Sequence, residues 1–143
     1  MTTPATEAPD SALAKFESFF KVAAIYDLVL GAAFLLAYVP VFRYLSIPAP
    51  ENPSYLHLAA GFVFVQGAGF WFVARNPGRN VDLVKVGVMF KLMYVFVAGY
   101  ALITNQLPHM VFAWFGLFDL AFAIMFARFL KAARSFGGAT VTH

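Results

Sequence analysis

Four apolar runs, residues 22–39, 55–74, 84–103 and 109–130, take up most of the 143-residue chain. Each is close to the ~20 residues that cross the hydrocarbon core of a bilayer as a helix. The apolar residues are gathered into blocks and lack the period that would give a surface helix or strand a wet face. An open sheet edge finds no hydrogen-bond partners in lipid, and four segments of this length are too long and too few for a closed barrel. The runs predict an all-α integral membrane four-helix bundle. Composition agrees: 62% of residues are hydrophobic and 12% charged, against roughly 45–50% and about 25% in soluble domains. So large an excess does not fit inside a core built from 143 residues.

Residues 1–14 read as a disordered polar tail, 15–134 as the helical domain and 135–143 as a second short tail. No basic stretch precedes the first run, which is expected to be a retained helix and not a cleaved leader. The links set the topology. RNPGRN, from Arg75 to Asn80, places Pro77 and Gly78 where a type II turn wants them. TNQLPH, from Thr104 to His109, is another short polar turn with a proline to stop the helix. Short links make sequential helices antiparallel neighbours. The first link, from Pro40 to Pro53, holds four prolines and is expected to be irregular, with Phe42, Tyr44 and Leu45 in the membrane interface. Basic residues gather at one end: Lys15, Lys21, Arg75, Arg79, Lys85, Arg128, Lys131 and Arg134, against Arg43 alone in the other two links. The positive-inside rule then puts both termini in the cytoplasm, with the bilayer as the first partner.

Each run carries one strongly polar residue in its interior, away from the basic residues at its end. Asp27 lies six positions past Lys21, and Lys91 six past Lys85; Gln66 precedes Arg75 by nine, and Asp119 precedes Arg128 by nine. At 1.5 Å per residue these are depths of about 9 Å and about 13–14 Å, within one slab. Helical spacing sets Asp27 on a stripe with Ala24 and Gly31, Gln66 with Gly69, Lys91 with Gly87 and Ala98, and Asp119 with Gly116 and Ala123. Small residues mark faces where membrane helices approach closely, so the four polar groups are expected to point inward. Lys91 is then paired with Asp27, Asp119 or both, because an unpaired charge at that depth costs at least ~2.5–3.5 kcal/mol. Two carboxylates sharing one ammonium leave a net negative charge unless one of them holds a proton. Such a cluster serves as a clasp fixing helix register, a site for a polar head group, or a proton- or cation-linked group.

Other features narrow the chemistry. The chain has no cysteine, so disulfides, thiolate metal sites and thiol redox are excluded. It carries no phosphate loop, metalloprotease helix or serine elbow, and no catalytic activity of its own is expected. The net charge of +3 is explained by orientation, and nucleic acid is not an expected partner. His57 and His109 fall at the outer ends of the second and fourth runs. Two histidines on facing helices suit haem or another metal, but none of the usual supporting residues accompanies them, and interfacial histidines are the preferred reading. Aromatic residues make up 18% of the chain. Tyr26, Tyr94 and Trp71 lie near the polar slab, where they could line a slot for a quinone, carotenoid or sterol-like molecule; phenylalanines facing lipid, with Tyr38, Tyr55, Tyr100 and Trp114 in an outer interfacial belt, are the preferred reading.

Several short motifs carry a likeness: YDLVLG in the first run, ARNPGRN in the second turn, K-L-x-Y-V from Lys91 to Val95, the turn at Leu107 and Pro108, and FDLAFAIMFARFL from Phe118 to Leu130. In these the chain resembles small bacterial four-helix membrane proteins of the broad DoxX-like type. The resemblance implies an accessory subunit associated with membrane oxidoreductase or quinone-linked complexes. The leading expectation is thus an accessory or quinone- or lipid-binding membrane subunit, with Asp27, Gln66, Lys91, Asp119, Tyr26 and Tyr94 at its site. A proton- or cation-coupled transporter acting as a dimer and a purely structural subunit of a larger membrane complex are the alternatives.

Overall fold

The computed structural model describes residues 13–137. It is all-helical, with no strand among the described residues: α1 (Glu17–Leu36), α2 (Tyr38–Tyr44), α3 (Ser54–Arg75), α4 (Val81–Ile103) and α5 (Val111–Gly137), with a 3₁₀ turn, Pro77–Asn80, ahead of α4. α1, α3, α4 and α5 are each long and apolar enough to cross a membrane, as expected of a multi-pass membrane protein. Their surfaces invert the soluble pattern. Leu36, Phe96 and Met89 are largely exposed, whereas Asp27 and Lys91 are 0% and 1% exposed.

Two antiparallel pairs dominate the packing, α1 with α3 and α4 with α5. Glycines let α1 and α3 meet backbone to backbone. A Cβ on Gly31 would fall 2.6 Å from the Phe64 nitrogen, and one on Gly67 would fall 2.7 Å from the Leu28 nitrogen. At the basic end, aromatic side chains tie the pairs together. Phe19 and Phe20 of α1 pack on Phe126 of α5, and Phe126 meets Phe70 of α3 at 4.7 Å between ring centroids. A second apolar cluster, Phe34, Phe42 and Ala60, closes the opposite end.

The structure corrects several expectations. The first link is not wholly irregular, because α2 forms across Pro40. Proline is tolerated there, in a first turn whose N–H groups lack intrahelical partners. Phe42 accordingly turns inward and is buried, while Tyr44 is 89% exposed. The second turn is not type II. That turn needs positive φ at Gly78, and no glycine among the described residues has it. Instead the chain makes a 3₁₀ turn whose Arg79 N–H donates to the Asn76 side chain at 3.2 Å. The close-packed small residue of α3 is Gly67 and not Gly69, which has no neighbour within 4 Å of its Cβ position.

Helix ends also move. α1 starts at Glu17, whose carboxylate pairs with Lys21 one turn on, and α5 starts at Val111 and runs through Gly137. Of the two expected tails, residues 1–12 and 138–143 lie outside the described residues, and Leu13 is buried in the aromatic end of the core.

Candidate functional site

Three helices deliver the ionic groups. Asp27 comes from the middle of α1, Lys91 from α4 and Asp119 from α5, and all three are buried. The Lys91 ammonium donates to Asp27 Oδ1 at 2.5 Å and to Asp119 Oδ1 at 2.8 Å. Three rings complete its surroundings: Tyr26 at 5.2 Å, Phe122 at 5.4 Å and Phe70 at 5.9 Å from nitrogen to ring centroid. In a site removed from water, such ring faces add up to about 2 kcal/mol or more to the attraction for a cation. The ammonium is therefore held by two carboxyl groups and three ring faces.

The six expected site residues divide. Asp27, Lys91 and Asp119 form one cluster, and Tyr26 lays its ring beside the ammonium. Tyr94, one turn along α4 from Lys91, donates its hydroxyl to the Phe112 carbonyl of α5 at 3.2 Å. Gln66 makes no hydrogen bond to the three ionic groups among the described residues. Its amide sits beside Gly87, 3.4 Å from where a Cβ would be. Phe70 and Phe122 were not singled out from sequence. The signal was present, since they follow Gln66 and Asp119 by four and three residues and so share their stripes.

Two buried atoms of this layer have no hydrogen-bond partner, Asp27 Oδ2 and the Tyr26 hydroxyl. Native buried polar groups are nearly always satisfied, so each unpaired one calls for an explanation. As an acceptor and a donor-acceptor, they suit a small polar group or the head of an amphiphile.

One turn from the ionic layer, on the side facing away from the basic end, lies a partly open apolar cleft of about 130 Å³, lined by residues of all four long helices. Gly31, Val63, Tyr94 and Phe115 line it. They stand three or four residues from Asp27, Gln66, Lys91 and Asp119, respectively, which is one helical turn, or about 5 Å. The cleft thus sits directly over the ionic layer. Its volume approaches the ~150 Å³ of an apolar cavity that takes up benzene.

The histidines do not converge. His57, in the first turn of α3, packs edge-on to Tyr38 at 5.1 Å, while His109 lies in the link before α5, where its Nδ1 accepts from the Val111 N–H at 3.1 Å. His109 thus serves the start of α5. Among the described residues no group of three or more metal-ligating side chains is assembled.

These features define an all-helical protein with four helices apolar enough to span a membrane, an Asp–Lys–Asp cluster buried between three of them, and an apolar cleft above it. No family model, curated protein or solved structure matches the chain.

Proposed function

We propose that the protein is an integral membrane four-helix bundle, with both termini cytoplasmic, that binds a quinone- or lipid-like molecule and serves as an accessory subunit in a bacterial inner membrane. The observation that carries this reading is the stacking of an apolar cleft, lined by all four long helices, one turn above a buried ionic layer. An amphipathic molecule has the same two parts. Its ring or chain end would occupy the cleft, and its polar group would face the layer that holds Asp27 Oδ2 and the Tyr26 hydroxyl, both unpartnered. The DoxX-like resemblance of the motifs points the same way. The gathering of Arg75, Arg79, Lys85, Arg128, Lys131 and Arg134 at one end supports the orientation.

The test is to purify the protein in mild detergent and to record an absorption spectrum and the mass spectrum of co-purifying small molecules. Ala59 lines the cleft but is itself exposed, so Ala59→Phe fills the space from the open side without crowding the core. The wild type is expected to carry a stoichiometric small molecule that Ala59→Phe loses, while Phe96→Ala, on the exposed face of α4, keeps it. An empty wild type, or a ligand retained in full by Ala59→Phe, would refute the reading.

A further inference from the structure

The ionic layer contains two carboxylates and one ammonium, a formal charge of −1 if all are ionised. The other groups facing Asp27 do not balance it. α1 adds Tyr26, α4 adds Lys91 and Tyr94, α5 adds Asp119, and α3 brings Phe70 to the ammonium, a ring that does not titrate. The nearest further basic residues, Lys21 and Lys85, are six positions away along their helices, or about 9 Å. A buried charge without a counter-ion is expensive enough that the group takes up a proton instead. A trapped water would satisfy a lone pair, but it would leave the charge.

The hydrogen-bond pattern shows where a proton fits. Both Lys91 bonds land on Oδ1 atoms, so Asp27 Oδ2 is left buried and without a partner. A proton on that oxygen leaves the two Lys91 bonds intact. The Asp27 side chain is 1% exposed and that of Asp119 is 9% exposed, so Asp27 is the more completely removed from solvent.

We propose that the ionic layer holds one exchangeable proton, carried on Asp27, so that the Asp27–Lys91–Asp119 cluster is electrically neutral. The layer is then a proton-binding site that can load and unload while the helices stay clasped. The proposal stands whether or not the cleft above holds a ligand, and its test requires none.

Infrared spectroscopy of the purified full chain at neutral pH, compared in H2O and D2O, reads this directly. A protonated carboxyl gives an isolated C=O stretch that shifts on deuteration. The remaining acidic residues, Glu7, Asp10, Glu17, Glu51 and Asp82, all lie outside or at the ends of the apolar runs. The wild type is expected to show one such band. Asp27→Glu keeps the charge count and moves the band, Asp119→Glu leaves it in place, and Asp119→Asn abolishes it because one carboxylate and one ammonium already balance. A wild-type spectrum without the band overturns the proposal. So does a band that only Asp119→Glu moves, or one that survives Asp119→Asn at full area. The wild-type spectrum and the charge-conserving glutamate variants keep the test decisive if Asp119→Asn fails to fold.

Discussion

Replacing a glycine of α3 by alanine should change stability in opposite directions at positions only two residues apart. At Gly67 an added Cβ would lie 2.7 Å from the Leu28 nitrogen and 3.0 Å from the Ala24 carbonyl oxygen, both main-chain atoms of α1. Comfortable contacts of this kind need about 3.5–4 Å, so the helices must part by roughly 0.5–1 Å. No rotamer change relieves a main-chain contact, and a gap of that size forfeits about a quarter to a half of each neighbouring contact energy. Overpacking costs about 1–3 kcal/mol, and here the upper end applies, because α1 against α3 is the most extensive pairing in the molecule. Helix propensity returns about 1 kcal/mol, which leaves Gly67→Ala less stable by about 2 kcal/mol. Gly69 has nothing within 4 Å of its Cβ position, so Gly69→Ala keeps only the propensity gain of about 1 kcal/mol. Equilibrium unfolding in mixed detergent micelles, titrated with dodecyl sulfate, measures both. Changes of the same sign, or values within about 1 kcal/mol of each other, would refute the backbone-to-backbone crossing of α1 and α3.

Three further perturbations test the layers separately. Lys91→Met leaves the buried Asp119 carboxylate without its counter-ion and should cost about 3–5 kcal/mol in the same unfolding assay, whereas Asp27→Leu, Lys91→Met and Asp119→Leu combined should recover most of that loss; a triple variant no better than the single one would show that the cluster does more than balance charge. Asn80→Ala removes two side-chain bonds, one onto the Phe72 carbonyl in the last turn of α3 at 3.1 Å and one onto the Asn76 carbonyl just past its end at 2.9 Å, and should lower stability by about 1 kcal/mol without altering ligand content. Ala59→Phe should empty the cleft with little change in the unfolding midpoint, so loss of ligand together with a large loss of stability would count against a preformed site.

Much of this was legible in sequence because lipid imposes few solutions. The length of the four runs fixed the helices, and the single polar residue in each, measured from the nearest basic residue, put Asp27, Lys91 and Asp119 at one level where the structure pairs them. What escaped depends on azimuth and on competition between local motifs. Gln66 has the right depth, but on α3 the neighbouring Gly67 takes the place facing α1, leaving the amide beside Gly87. Pro77-Gly78 satisfies two turn types, and the Asn76 side chain, by accepting from the Arg79 N–H, favours the 3₁₀ form. Phe70 and Phe122 share the stripes of Gln66 and Asp119, but a shared stripe alone does not separate a ring facing an ammonium from one packed on another ring.

The cleft was invisible for a further reason: it is a consequence of how the helices pair. In lipid there is no hydrophobic drive for one helix to seek another, so packing and polar bonds decide which surfaces meet. α1 meets α3 through glycine contacts, and α4 meets α5 through Lys91–Asp119 and Tyr94–Phe112. Between the two pairs, the Phe19, Phe20, Phe70 and Phe126 rings act at the basic end, and the Lys91–Asp27 bond acts at mid-depth. Beyond that bond the pairs leave the cleft between them, closed only at its far end by Phe34, Phe42 and Ala60. The same lysine that joins the two halves therefore lies one turn from Tyr94, which lines the space an apolar molecule would fill. Loss of Lys91 should then loosen one pair from the other before it disrupts either pair, and any ligand of the cleft should be lost at that first stage.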